Sequence, residues 1–346
     1  MSVHDTLVAT RARVRGASLP ASGFMRLVRL PAISNETVAD RDRPLVGRLV
    51  PTVSVIVVAF VVWLVAASAG LYIQTIIGLF CCYLIAALGY NLVLGFGGQF
   101  AFCQSAFMAI GAYTYAVLSP DIGPIVAIIV AAVVTSAIGA LVGLAIIRTR
   151  EIYLALITLA FAQATLLAIQ LWPPTQGDNG IFVDLGGSFT YVFAIVAAAL
   201  AMLVVLRLVR SPFGRQLAMI RTDETAAAAM GVNVALTRVK VFALSAFLGG
   251  ISGVLLAGVL TFITPANFTL DVTLMLLTMI VVGGVASVWG TVAGVLLITA
   301  VRQLIPGIGD VGAYIDGGIL FVILLLRPAG LRSLIRLRVR QKNAHD

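Results

Sequence analysis

Few side chains in this 346-residue sequence have the type and spacing for chemistry, and their positions exclude most of it. Cys81, Cys82 and Cys103 fall inside apolar runs without the spacing of a Cys-x-x-Cys metal site, so they read as buried thiols. His4 and His345 stand at the two ends of the chain, and no imidazole relay or metal site can be assembled from them. None of the 14 acids lies midway along an apolar run; Glu151, Asp271 and Asp316 fall near run ends. A proton relay through hydrocarbon needs titrating groups at that depth, so proton coupling is excluded, whereas sodium coupling through carbonyls and hydroxyls stays open. The only lysines, Lys240 and Lys342, precede Val241 and Asn343. A loop that cradles nucleotide phosphates needs Lys followed by Ser or Thr, so the chain lacks an ATPase site. No catalytic residue and no cofactor is expected in it; ATP and magnesium, if used, belong to another polypeptide.

What remains is uncharged. Two glycine-interrupted stretches stand out, GFGGQFAFCQSAFMAIGAY from Gly95 and VGGVASVWGTVAG from Val282. Broken helices expose backbone groups at membrane depth only where they line a cavity, which makes Gly97, Gly98, Gln99, Gln104, Ser105, Gly283, Gly284 and Ser287 candidates for a translocation path. The competing reading is close helix packing, for which Gly139 with Gly143, Gly249 with Gly253 and Gly290 with Gly294 have the right spacing. Gln99 and Gln104 fit a path better, since an amide facing lipid is costly, although they could also pair with each other.

The elements that must position these residues are membrane spans. A composition 61% apolar and 11% charged, with mean hydropathy +1.09, excludes a soluble enzyme, a disulfide scaffold and a disordered chain. Apolar runs recur at 49–69, 76–94, 100–118, 125–147, 152–171, 191–209, 241–262, 272–288, 292–305 and 314–326. The predicted fold is all-α and polytopic, with eight to ten crossings including Gly-broken or re-entrant segments. The net charge of +9 lacks the basic face of a folded soluble domain that nucleic acid would require. It orients the chain instead. With the N-terminus inside, every Lys and Arg except Arg302 faces the cytoplasm, and the loops 70–75, 119–124, 172–190 and 263–271 carry none. Both termini are then cytoplasmic, and the chain divides into a basic arm over 1–48, a transmembrane domain over 49–326 and a basic tail over 327–346. The arm has an arginine-rich look that also suits an organellar transit peptide, and the tail suits anionic headgroups. Arg302 and Asp316 stand at outer run ends and are expected to pair. The outer loop TQGDNGIFVDLGG, with Asp178 and Asp184, either caps helices or touches an external protein.

One internal connection, within 210–240, is too long and too patterned to be a mere linker. It reads SPFGRQLAMIRTDETAAAAMGVNVALTRVKV from Ser211. Ser211 and Pro212 open one short helix; Asp223 opens a second that stops at Gly231 and Asn233. The second is slim and rich in alanine, shaped for a groove in another protein, with Arg221, Asp223 and Glu224 free for rim contacts. A helix lying on the lipid surface is the alternative, which the mixed charge fits less well.

This loop resembles the segment by which permease subunits of ABC importers dock onto their ATPases, with the motif Glu-Ala-Ala, three residues, then Gly. Ala226 and Ala227 stand at the right distance before Gly231, but Thr225 takes the motif's Glu position, Glu224 lies one residue earlier, and the hydrophobic-Pro ending is missing. The stretches REIYLALITLAFAQ from Arg150, TQGDNGI from Thr175, the loop itself, ITPANFTLDVTLMLLTMIVVGGVASVWGTVAGVLL from Ile263 and LRPAGL from Leu326 follow in order. Together they resemble the LivM-like permease subunits of the branched-chain amino acid ABC importer family, over about 71–331. The resemblance implies a bacterial plasma (inner) membrane complex with a LivH-like second permease, two ABC ATPase subunits and an extracytoplasmic substrate-binding protein. It implies passage of branched-chain or related small amino acids, or of amides or urea, driven by ATP hydrolysed in the partners. The rival reading is a self-contained secondary carrier or channel for a small neutral solute.

Overall fold

The computed structural model describes residues 70–147, 151–183 and 190–304, together with Val55, Ala59, Val62, Leu64, Ala66 and Leu185. The arm 1–48, most of the run 49–69, the run 314–326, the tail 327–346, and Arg148, Arg150, Asp184 and Asp316 lie outside the described residues.

Within them the chain is helical. In order come α1 (Leu71–Asn91), α2 (Gln104–Ile122), α3 (Pro124–Ile146), α4 (Glu151–Leu171), α5 (Thr190–Arg210), α6 (Pro212–Thr222), α7 (Glu224–Ala229), α8 (Val234–Leu260), α9 (Leu270–Gly283) and α10 (Val288–Leu304). Where water is absent, a helix satisfies every internal N–H and C=O from its own backbone, which is why the long apolar runs take this form. Six helical stretches among the described residues are long and apolar enough to cross a membrane, and Val288–Gln303 is a shorter apolar helix. The chain is an all-α, multi-pass membrane protein.

The central element is α8, packed against α1, α2 and α3. Small residues allow this. Gly139 and Gly143 of α3 lie on Phe242 of α8, with Ala246 and Val239 beside them, and a Cβ at Gly139 would overlap Ala246. Gly111 of α2 meets Gly250 of α8 backbone to backbone, and Gly253 abuts the Met108 carbonyl. Absent a side chain, two helices approach until dispersion contacts replace lipid contacts, and the spacing Gly139/Gly143 marks such a seam.

At the C-terminal end of α8 two short strands pair antiparallel, β1 (Ile181–Phe182) with β2 (Phe262–Ile263), in register Ile181 to Ile263. The Phe182 and Phe262 rings meet at 4.8 Å between centroids. Before β1 the chain folds back on α4: the Thr175 hydroxyl donates to the Ile169 and Trp172 carbonyls, and Gln170 Nε2 donates to Asp178 Oδ1 at 3.2 Å. The described part of the TQGDNGIFVDLGG loop therefore caps the end of α4. At the opposite end, where α8 begins, sit α6 and α7.

Both glycine-interrupted stretches break their helices. The run 100–118 becomes helical only at Gln104, because Gly97 and Gly98 turn the chain away, the latter at φ +70°. The run 272–288 stops at Gly283, followed by Gly284 at φ +108° and Ala286 at +60°.

Candidate translocation path and docking elbow

The first break begins before its glycines. After Asn91 the helix widens into a π-turn over Leu92–Phe96, closed by Gly97 N–H donating to the Leu92 carbonyl at 2.9 Å. Such bulges leave carbonyls off the regular ladder and recur at functional sites. Gln99 N–H then donates to Val93 O at 3.0 Å, and Phe102 N–H to Thr158 Oγ1 of α4 at 2.9 Å. The loop is thus pinned to the helix it leaves and to a neighbour.

The two glutamines differ in their surroundings, and they do not bond each other. Gln104 is 2% exposed and bonded at both ends of its amide: its Nε2 donates to the Ala86 carbonyl of α1 at 3.2 Å, and its Oε1 accepts from Ser245 of α8 at 3.0 Å. Gln99 is 6% exposed, yet its Oε1 has no hydrogen-bond partner. Ser105 faces α9, its N–H donating to Thr273 Oγ1 at 3.1 Å while Thr273 donates back to Ser105 Oγ at 2.8 Å.

The second break is tightly packed. Gly283 and Gly290 touch through their backbones, Gly294 abuts the Met279 carbonyl, and Ser287 caps α10 by accepting from Gly290 N–H at 3.1 Å. Asn91, which the apolar pattern hides, spans the two breaks by bonding to residues 286–291. Between α2, α3 and α4 lies a cleft of about 540 Å³ lined by Tyr113, Thr114, Phe161, Thr165 and Trp172 among others; the path candidates lie apart from it.

The elbow is built from local signals. Ser211 and Pro212 start α6. Asp223 caps α7, accepting from Thr225 N–H at 2.8 Å and Ala226 N–H at 3.0 Å. Gly231 ends it at φ +83°, with open space where a Cβ would stand. Ala227 is buried, whereas Ala226, Ala228, Ala229 and Met230 are exposed. Glu224 is held at 2.7 Å by Arg238 in the first turns of α8. Arg221 lies against Gly98, where a Cβ would come within 2.9 Å of its Cγ, and burial lowers the pKa of its guanidinium. The elbow thus touches the first break.

Residues 72–327 match the permease component of the branched-chain amino acid transport system. The chain belongs to that family. It is 28% identical over 350 residues to the high-affinity branched-chain amino acid transport system permease protein LivM of Escherichia coli strain K12, covering 91% of this chain and 80% of that one. The LivM protein of Salmonella typhimurium is 27% identical with the same coverage. A probable LivM permease of Methanocaldococcus jannaschii is 30% identical over 229 residues, 62% of this chain and 66% of that one. No solved structure matches the chain. As a permease of this family the chain supplies a membrane passage.

Proposed function

We propose that the chain is one of two permease subunits of an ABC importer for branched-chain or related small amino acids, with no ATPase site of its own. The α6–α7 elbow is cytoplasmic, together with both termini, and an ATPase subunit grips it. A second, LivH-like permease completes the passage, an extracytoplasmic binding protein delivers the solute at the β1–β2 end, and the basic tail rests on anionic lipid. ATP and magnesium sit in the partners.

The observation that carries this reading is the elbow itself: a capped alanine helix whose outer face is exposed at Ala226, Ala228 and Met230, resting through Arg221 on the break at Gly98. A partner that moves the elbow moves the break. Solute passes along the two breaks, where Gln99 offers an unpartnered amide oxygen and Gly98 and Gly284 turn the backbone out of the helix at positive φ.

The test is site-directed crosslinking. Met230→Cys with a photoreactive thiol reagent should capture the ATPase subunit in membranes expressing the whole importer. Labelling of the same cysteine by an impermeant reagent from the outer side, with no ATPase captured, would refute the assignment.

A further inference from the structure

The two glycine-broken segments are fastened together by one amide. Asn91, the last residue of α1, is 1% exposed and uses its whole side chain across the second break. Its Nδ2 donates to Thr291 Oγ1 at 2.8 Å and to the Ser287 carbonyl at 3.4 Å, and its Oδ1 accepts from Ala286 N–H at 3.1 Å. Ala286 is held at φ +60°, a conformation that residues with a Cβ rarely adopt, so the Asn91 bond secures a strained turn. Space is tight enough that a Cβ at Gly95 would overlap Asn91 Oδ1 and come within 2.7 Å of Ala286 N. On its other side the π-turn that follows Asn91 leads directly to Gly98, against which Arg221 of the elbow rests.

We propose that Asn91 is a positioning residue that makes the two breaks move as one unit, so that displacement of the elbow at Arg221 reaches the turn at Ala286 through it. The proposal rests on the reading of α6–α7 as the ATPase seat. The side-chain chemistry is specific. Leucine has the same branched shape, slightly larger, but neither donor nor acceptor, so Asn91→Leu cuts all three bonds without opening a hole. Thr291→Val removes one of them and Thr291→Ser keeps it. A residue that only stabilised the fold would change yield and melting, not the amount of solute moved for each ATP.

The experiment uses the complete importer, this chain with its partner permease, ATPases and binding protein, in liposomes with radiolabelled leucine as the probe. Wild type is read first; without ATP-driven uptake there, the transport reading fails and this proposal with it. With wild type active, Asn91→Leu should hydrolyse ATP at near the wild-type rate while leucine moved per ATP falls about tenfold. Thr291→Val should lower the ratio about threefold, the weight of one ordinary hydrogen bond. Thr291→Ser should match wild type, and Asn91→Leu with Thr291→Val should be no worse than Asn91→Leu alone, because the Asn91–Thr291 bond is already gone and the hydroxyl's other bond, to the Ser287 carbonyl, lies within the same helical turn. An unchanged ratio in Asn91→Leu would overturn the proposal. If that variant does not assemble, Thr291→Val behaving like Thr291→Ser would overturn it equally.

Discussion

Arg238 reaches from the first turns of α8 to the head of α7 and holds the Glu224 carboxylate at 2.7 Å. The arginine is 12% exposed and the glutamate 51%, so the pair is anchored at its α8 end and open to water at the other. Glu224, one of the residues assigned by sequence to a partner's rim, is therefore engaged within its own chain. Solvent screening limits the pair to roughly 0.5 kcal/mol of global stability. Its consequence is geometric: it fixes the angle at which the exposed alanines face outward. Arg238→Ala should shift Tm by no more than about 2 °C while lowering ATPase co-purification. Exchanging the two charges, Glu224→Arg with Arg238→Glu, should restore it, and failure to do so would place Glu224 in direct contact with the partner.

Asp223 sets the start of α7 in the same way. Asp223→Ala removes two bonds to backbone N–H groups and should cost about 1 kcal/mol of local helix stability. Amide hydrogen exchange across 225–230 should quicken about fivefold, with Asp223→Ser close to wild type. Equal exchange in the alanine and serine variants would show that the cap is not what holds α7.

The two path glutamines should part company when each becomes leucine. Gln104→Leu leaves the Ser245 hydroxyl and the Ala86 carbonyl without the amide, a loss of about 1–3 kcal/mol, and should lower Tm of the purified complex. Gln99→Leu removes an amide oxygen that bonds nothing, so Tm should hold while leucine uptake falls. Uptake that survives Gln99→Leu would remove this residue from the passage.

Much of the elbow was legible because its signals are local: Ser211 with Pro212, Asp223 as a cap and Gly231 as a stop act within four residues of themselves. The glycine seams were legible for the same reason. Asn91 was not, since its partners lie 195 to 200 residues further along the chain and an asparagine inside an apolar run carries no period. The start of α2 was misplaced by four residues because hydropathy counts Phe100 and Ala101 as helix, whereas Gly97 and Gly98 set the backbone direction. Nor does composition separate Gln99 from Gln104. That distinction depends on Ser245, which three-dimensional packing alone brings to hand.

Glycines of two kinds should also respond differently. Gly253→Val drives a side chain into the Met108 carbonyl and should destabilise by more than the usual 1–3 kcal/mol of overpacking, because backbone cannot repack as side chains do. Gly231→Ala meets open space and bears only the strain of φ +83°, about 1–2 kcal/mol confined to the elbow. Thermal unfolding of the two variants side by side checks the contrast; equal losses would mean that the α2–α8 contact is looser than described.

The central claim is that this chain forms a passage worked by ATPases it does not contain. Purified chain in liposomes should leave leucine unconcentrated with or without ATP, and co-reconstitution with the partner permease, ATPases and binding protein should produce accumulation that requires ATP inside the cytoplasmic-side compartment. Concentrative uptake by the chain alone would contradict the account.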